Sequence, residues 1–228
     1  MSMTIAFFDL DNTLVKGSSL YYFAKYLVKN GFLTKTEIAR FTKAHYKFIS
    51  TKTEDKKMID VIKQKALEIV KNKNQKDILE MCDNSLASNL YDSVNIEVLS
   101  YLKWHQERNH QTWIVTASPV EIASGIAKKL NMSGALGTIA EVKNGVYTGN
   151  LLTEILHGKN KSVAIKTLAK SLNENLDESF AYSDSLNDLP LLCSVGTAVV
   201  VNPNKELQRI ARKNKWLEIN DKMKKRTA

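Results

Sequence analysis

The sequence predicts an α/β protein with a parallel sheet that is covered by helices on both faces. Short apolar runs of the kind found in buried parallel strands recur along the chain. They occupy residues 4–9, 112–116, 179–183 and 197–201. Helical patterns that precede or separate the later runs cover residues 94–108, 119–130 and 162–172. This alternation indicates a layered fold with a parallel sheet, in which ligands bind beyond the carboxyl ends of the strands.

Residues from about 18 to 90 interrupt the alternation, because their apolar residues recur at helical spacing only. Four apolar stripes are present. They consist of Leu20, Phe23, Ala24, Leu27 and Val28; of Ile38, Phe41, His45 and Phe48; of Ile59, Ile62, Ala66, Ile69 and Val70; and of Leu79, Cys82, Leu86 and Leu90. Four successive amphipathic helices predict a small bundle inserted after the first strand. We therefore expect one domain from residues 1–16 and 91–228 and a helical domain from residues 17–90.

Two further local signals concern a turn and the cysteines. Asn144 and Gly145 stand between two apolar runs in residues 139–147, a pattern that predicts a β-hairpin.

Cys82 and Cys193 are far apart and neither belongs to a CxxC pair. The cysteine pattern disfavours a disulfide framework or a zinc site and predicts two buried thiols in a reducing cytoplasm.

The net charge of +9 is concentrated in residues 16–90, where 14 lysines and one arginine face eight acids, a local excess of +7. Such a surface is compatible with an anionic substrate, a membrane surface, nucleic acid or simply solvated helix faces. Few aromatic residues lie between the lysines, which disfavours nucleic-acid stacking. No apolar stretch approaches ~18 residues and no secretory signal is recognisable, so we expect a cytoplasmic protein without stable membrane insertion.

The first apolar run ends in two acids, Asp9 and Asp11. Side chains two residues apart in an extended segment point to the same side, so the two carboxylates would share one site. Like charges at such a distance are costly unless a cation or a shared proton relieves them. The alternative interpretation is an exposed turn that is rich in capping residues.

Polar residues also follow the later runs. Asp184 and Asp188 come after the third run, where magnesium chemistry would place oxygen ligands or where a helix would take its capping residues. Thr116 ends the second run before Ala117, Ser118 and Pro119, which is either an anion site at a helix start or an ordinary helix start. Lys161 opens the next helix and could equally be a solvated surface lysine.

Together these segments resemble the haloacid dehalogenase-like superfamily of phosphatases. The family's first motif, DxDx[TV], matches residues 9–13, which read Asp-Leu-Asp-Asn-Thr. Thr116 matches the second motif, Lys161 the third, and Ser183-Asp184 with Asn187-Asp188 the fourth. The match covers nearly the whole chain, and its layout is similar to the phosphoserine-phosphatase-like subgroup, subfamily IB. The resemblance implies a Rossmann-like three-layer fold with an all-helical cap of the C1 type.

The resemblance also implies the site. Asp9 would be the nucleophile that forms an aspartyl-phosphate, and Asp11 the general acid and then the general base. Mg²⁺ would be held by Asp9, by the backbone carbonyl of Asp11 and by Asp184. Asp188 would be an acid in the outer shell of the metal site and would not bind the metal directly. The phosphate would be bound by Lys161, Thr116 with Ala117, and Asn187.

Position 18 sets this chain apart from the phosphoserine phosphatases, which carry a glutamate seven residues after the second aspartate to meet the substrate's amino group. Here the position is Ser18, a candidate substrate contact. Loss of a charge-assisted contact costs roughly 1.5–3 kcal/mol, so phosphoserine is not the expected substrate. The positive charge of residues 16–90 favours a more anionic or lipid-like phosphate ester.

The sequence therefore predicts a magnesium-dependent hydrolase of a small phosphorylated metabolite. Asp11 argues against the family's ATPases and dehalogenases, which generally lack an acid there. A phosphotransferase or phosphomutase that uses the same intermediate stays open as an alternative. A non-catalytic module on the same fold is disfavoured, because every catalytic position is filled. The sequence gives no indication of the oligomeric state.

Overall fold

The computed structural model describes residues 4–32, 34, 36 and 64–220 of the 228-residue chain. Its strands, in chain order, are β1 (Ile5–Phe8), β2 (Gln111–Pro119), β3 (Gly134–Thr138), β4 (Ala140–Lys143), β5 (Val146–Leu151), β6 (Phe180–Ser183), β7 (Thr197–Val201) and β8 (Leu217–Ile219). One sheet has the order β3-β2-β1-β6-β7-β8, and each neighbouring pair in it is parallel. The predicted parallel sheet is confirmed.

The helices of the described residues are α1 (Ser19–Lys29), α2 (Gln75–Ser93), α3 (Ile96–Glu107), α4 (Val120–Lys129), α5 (Lys159–Leu172), α6 (Leu189–Leu192) and α7 (Lys205–Lys213). Residues 64–70 are helical as well. Two short 3₁₀ turns, Leu176–Glu178 and Leu186–Asp188, lie on either side of β6.

Two hydrophobic cores lie on opposite faces of the sheet. On one face, Phe8 of β1 belongs to a cluster with Leu102 of α3 and Ile122 of α4. On the other face, Phe7 packs in a cluster with Ile165 of α5 and residues of α6 and α7. Neighbouring side chains of β1 therefore pack against helices on opposite faces of the sheet. Full burial of such a side chain contributes about 1.5–3 kcal/mol. The predicted three-layer architecture is confirmed.

In the helical region, the first predicted apolar stripe is buried as expected, whereas burial in the fourth stripe differs from the prediction. In α1, Phe23, Ala24 and Leu27 are buried as predicted. In α2, Cys82 is buried but Leu79 is 43% exposed, because Ile78, four residues before Cys82, takes the buried position. The second stripe, with His45, and part of the third lie outside the described residues.

The proposed boundary at residue 90 falls inside α2, which continues to Ser93. The division into a core domain of residues 1–16 and 91–228 and a helical domain of residues 17–90 stays a prediction.

The hairpin prediction is confirmed. Strands β4 and β5 pair antiparallel, with Lys143 opposite Val146. Asn144 and Gly145 between them have φ values of 51° and 77°, the left-handed backbone that a tight hairpin turn of this type requires and that glycine adopts without strain.

The expectation of two buried thiols is wrong for Cys193. Cys82 is buried, whereas Cys193 is exposed, and both are free. Leu191 and Leu192 fill the core at the end of the short α6, and Cys193 is the residue that ends the helix. None of the described helices is long and apolar enough to cross a membrane.

Candidate active site

Three neighbouring strands, β2, β1 and β6, end at the same edge of the sheet. Asp9 and Asp184 directly follow β1 and β6, and Thr116 lies in β2 two residues after Ile114, the partner of Phe8 at the end of β1. The chain turns directly after β1, since the N–H of Leu14 donates to the carbonyl of Asp9 at 3.3 Å. Asn12, with a φ of 60°, lies within this turn. The short strand and its tight turn therefore hold both Asp9 and Asp11 at the edge where ligands of parallel sheets bind.

Lys161 forms buried ion pairs with both Asp9 and Asp188. The Nζ of Lys161 lies 2.6 Å from Oδ1 of Asp9 and 2.7 Å from Oδ2 of Asp188. Lys161 stands in the first turn of α5, which begins after Gly158 at a φ of 53°. Burial opposes the charge of Lys161, but Asp188 and Asp9 outweigh it and raise its pKa above the ordinary value. Lys161 is therefore a charged residue inside the site and not a solvated surface lysine.

The two acids of the last motif do not cap the helix that follows them. Asp188 precedes α6 but makes no side-chain capping bond to it, and its Oδ2 accepts from the hydroxyl of Ser183 at 2.7 Å. The side chain that caps the 3₁₀ turn is Ser185. Asp184 instead accepts from the hydroxyl of Thr13 at 3.2 Å and donates its N–H to the same oxygen at 3.0 Å. The first and last motifs are thus hydrogen-bonded to each other.

The acids of the site carry more negative charge than Lys161 can neutralise. The pKa of Asp9 is raised to about 7, mainly by burial; Lys161 opposes this rise, and the charges of Asp188 and Asp11 add to it. Burial, with the charges of Asp9 and Asp188, raises the pKa of Asp184 to about 8. One lysine among these carboxylates leaves an excess of negative charge, which a cation would relieve.

The donors available here fit Mg²⁺. Side chains of His, Cys, Asp and Glu form no group of three that could hold a metal anywhere in the described ranges. Mg²⁺ does not need such a group, because it usually takes one or two carboxylates and completes its shell with water and substrate phosphate. Asp9 and Asp184 supply two carboxylates, and in the described structure no hydrogen bond is made to the second oxygen of either.

Asp11 lies in a different environment. Its Oδ1 accepts from the backbone N–H of Ser19 at 2.7 Å, and its Oδ2 accepts from the hydroxyl of Ser118 at 2.9 Å. The two serine hydroxyls lie 3.0 Å apart. Sequence reasoning did not single out Ser19 or Ser118. The only signal was that Ser118 belongs to the polar segment that follows the apolar run of residues 112–116.

The remaining predicted phosphate contacts lie around this edge. Thr116 is buried, and its Oγ1 accepts from the N–H of Ser118 at 3.1 Å, which leaves its own hydrogen to donate. Ala117 accepts from Thr138 through its carbonyl at 2.7 Å. The side chain of Asn187 lies 3.4 Å from the hydroxyl of Ser185, and no hydrogen bond of the described structure joins it to another predicted site residue.

Ser18 is the N-cap of α1, and its hydroxyl accepts from the N–H of Tyr21 at 3.3 Å. It also lines a cavity of about 200 Å³ that opens beside Asp11. We call this space the Asp11 cavity. Ala117 and Ser118 lie on its wall as well. Ser18 therefore stabilises the start of a helix and stands beside the site at the same time.

Comparison with known proteins identifies the family. A family model described as haloacid dehalogenase-like hydrolase matches residues 6–192. The Mycobacterium tuberculosis protein named phosphoserine phosphatase SerB1 is 38% identical over 220 residues, which cover 95% of this chain and 70% of the relative.

Among solved structures, a protein of unknown function from Bordetella pertussis Tohama I has a TM-score of 0.81 at 22% identity, over 96% of this chain and 99% of its own. A phosphoserine phosphatase described as a phospho-aspartyl intermediate analogue has a TM-score of 0.64 at 18% identity, over 97% of this chain and 95% of its own. These two likenesses establish the fold, and the family model establishes the relationship. The chain belongs to the haloacid dehalogenase-like hydrolases.

Proposed function

We propose that this protein is a magnesium-dependent phosphatase that hydrolyses a small phosphomonoester through a phosphoryl group carried on Asp9. One observation supports this more than any other. Two carboxylates two residues apart lie in opposite environments: Asp9 is 2.6 Å from the ammonium of Lys161, whereas Asp11 is held by the hydroxyl of Ser118 and the N–H of Ser19. Carboxyl groups whose environments differ in this way can take different roles, one as nucleophile and one as acid and base.

In the first step, a carboxylate oxygen of Asp9 attacks phosphorus and forms an acyl phosphate, while the bond from phosphorus to the alcohol oxygen breaks. Asp11 gives its proton to the leaving oxygen. The hydrogen bonds from Ser118 and Ser19 fix the direction of the Asp11 carboxyl group. The ion pair with Lys161 restricts the carboxylate of Asp9 in the same way. Both carboxyl groups are therefore oriented toward the substrate before it binds.

In the second step, Asp11, now a carboxylate, takes a proton from water, and the water oxygen attacks phosphorus. The bond between phosphorus and Asp9 breaks, inorganic phosphate leaves, and both carboxyl groups return to their initial state. This exchange of roles needs Asp11 close to the leaving group but away from the charged side of the site. Its bonds to Ser118 and Ser19 support that placement.

The other residues stabilise the charge on the phosphoryl oxygens. Lys161 supplies a buried positive charge, and Asp188 with Ser183 holds it in place. Thr116 donates its hydroxyl hydrogen, and Ala117 and Asn187 complete the phosphate site. Asp9, the backbone carbonyl of Asp11 and Asp184 would hold Mg²⁺, whose positive charge would let a phosphate dianion approach an anionic nucleophile.

The test is phosphate release from p-nitrophenyl phosphate with Mg²⁺, compared with release in the presence of a chelator. We expect turnover only with Mg²⁺ and loss of turnover in Asp9→Asn, while the same change at the exposed Asp177 leaves turnover intact. Retained hydrolysis by Asp9→Asn would refute Asp9 as nucleophile. Transfer of the phosphoryl group to added alcohols, without free phosphate, would indicate the phosphotransferase alternative.

Phosphoserine is the first ester to test, since the 38%-identical relative bears the name phosphoserine phosphatase. The serine at position 18 argues against it, because the hydroxyl of Ser18 caps α1 and offers no carboxylate to an amino group.

A further inference from the structure

The Asp11 cavity begins at the carboxyl group that the proposed mechanism places next to the leaving alcohol. Asp11, Ser18 and Ser118 form its polar edge. Away from this edge, its wall is built by apolar residues from α1, α2, α4 and β5. They include Leu20, Phe23, Leu27, Ile78, Ile122 and Tyr147. A group bonded to the leaving oxygen at Asp11 therefore meets this apolar space directly.

The size of the cavity sets the size of that group. A cavity of about 150 Å³ lined by Leu, Ile and Phe accommodates benzene. The Asp11 cavity, at about 200 Å³, accommodates a group somewhat larger than that. Each methylene that moves from water into such a space improves binding roughly fourfold.

The described residues of the lining disfavour an acidic group. Among the described residues of the lining there is no lysine or arginine, and the single basic residue is His157, which precedes α5. Glu121 also lines the cavity and is only 8% exposed. Its Oε1 accepts from the hydroxyl of Tyr147 at 2.8 Å. A carboxylate on the leaving group would lose its water here and would lie near a second carboxylate, which is a costly placement.

We infer that the alcohol part of the substrate is an apolar group without a carboxylate and that it occupies the Asp11 cavity. This inference rests on the proposed phosphatase function and narrows its substrate class. Phosphoserine, whose alcohol part carries both a carboxylate and an ammonium group, fits this cavity poorly. An alkyl or aromatic phosphate monoester fits it well, because its charged end meets Lys161 and its apolar end meets the wall of the cavity.

The first test compares kcat/KM of the full chain with Mg²⁺ for methyl, butyl and octyl phosphate and for phosphoserine. We expect kcat/KM to rise roughly fourfold per methylene until the cavity is filled, with phosphoserine below butyl phosphate. A kcat/KM that does not depend on chain length, or that is highest for phosphoserine, would overturn the inference. Turnover of p-nitrophenyl phosphate that depends on Asp9 reports separately on the proposed chemistry, so the two failures are distinguishable.

Two variants locate the effect in the cavity. Ala24→Leu adds bulk at a buried position of the lining, and Lys25→Leu places the same side chain on the exposed side of the same helix. We expect Ala24→Leu to reduce kcat/KM for octyl phosphate at least tenfold more than for methyl phosphate, and Lys25→Leu to change neither. An equal reduction for both esters in Ala24→Leu contradicts the inference. If Ala24→Leu does not fold, the ester series on the unmodified chain decides.

Glu121→Gln tests the charge argument. It removes the negative charge while keeping an oxygen for the hydroxyl of Tyr147. We expect kcat/KM for phosphoserine to rise several-fold relative to butyl phosphate. An unchanged ratio would show that Glu121 does not repel an acidic leaving group.

Discussion

The charged cluster of Asp9, Lys161, Asp184 and Asp188 and the Asp11 cavity lie side by side, but they are built from different elements. The ends of β1 and β6, the 3₁₀ turn Leu186–Asp188 and the first turn of α5 supply the charged cluster. The cavity is walled by α1, residues 66–70, α2, α4 and β5. The border passes between Asp9 and Asp11, two residues apart in one turn. In our account the charged cluster performs the chemistry that all phosphate esters share, and the cavity distinguishes one ester from another.

The largest effect is expected from Lys161→Met, which removes the cation from the charged cluster. The carboxylates of Asp9 and Asp188 are then buried without a cationic partner, which costs about 3–5 kcal/mol of the free energy of unfolding. Turnover should fall by a factor on the order of 10² to 10³ for every ester. Lys159→Met, an exposed lysine in the same turn, is the matched control for denaturant unfolding and kinetics. A loss confined to long-chain esters would show that the two regions are not separate.

The next effect concerns pH and metal in the charged cluster. The pKa values of Asp9 and Asp184 are raised to about 7 and about 8 without metal, so the folded protein binds protons that the unfolded chain releases. The stability that this provides is complete below the ordinary carboxyl pKa of about 4 and is lost as pH rises through about 8. We therefore expect the free energy of unfolding of the metal-free protein to fall across this range.

Mg²⁺ should offset this fall, most strongly at the upper end, because it binds the deprotonated carboxylates. Asp184→Asn should flatten the upper part of the metal-free profile and weaken the stabilisation by Mg²⁺. Urea unfolding at a series of pH values, with Mg²⁺ or a chelator, measures both. Stability of the metal-free protein that increases toward pH 8 would contradict the assignment of excess negative charge to this cluster.

A smaller effect is expected from a change beside Asp11, on the cavity side of the site. Ser118→Ala removes one of the two hydrogen bonds that hold Asp11. Proton transfer to the leaving oxygen should slow by a factor of about 10, and mainly for alkyl phosphates, since p-nitrophenolate needs little protonation. The control is Ser100→Ala, whose exposed hydroxyl bonds within α3. Equal losses for both kinds of ester would argue that Ser118 acts on folding and not through Asp11.

The smallest effect is expected from Ser18→Ala. Loss of this N-cap should reduce the free energy of unfolding by about 1 kcal/mol. Because the hydroxyl of Ser18 is used for capping, kcat/KM for butyl phosphate should change little. A large kinetic effect without a change in stability would make Ser18 a direct substrate contact.

The charged cluster was largely predictable from the sequence, and the surroundings of Asp11 were not. An acid at the end of an apolar strand is a local signal, and parallel strands carry such ends to one edge, as for Asp9 and Asp184. The bond between Ser118 and Asp11 joins residues 107 positions apart and has no local signature. The cavity is the space that several predicted helices leave between them, which periodicity does not describe.

Missed elements have similar causes. Strand β3 contains Gly134 and Gly137, which weaken its apolar signal, yet a side chain at Gly137 would come within 2.9 Å of the carbonyl oxygen of Ser118. Strand β8 has three residues, of which only Ile219 is buried. In α2 the sequence pattern assigned Leu79 to the buried side, whereas Ile78 is the residue that faces the core. Apolar spacing indicates that a segment is helical, but it defines less well which side of the helix is buried.

The most direct test of the central claim is a rapid-quench experiment on Asp11→Asn with p-nitrophenyl phosphate and Mg²⁺. This ester can phosphorylate Asp9 without help from a general acid, but water cannot be activated in the second step. We predict a burst of one equivalent of p-nitrophenolate per protein and a phosphoryl group on the peptide that contains Asp9, detected by mass spectrometry after acid quench. Linear release without a burst, or a phosphoryl group on a residue other than Asp9, would contradict the account.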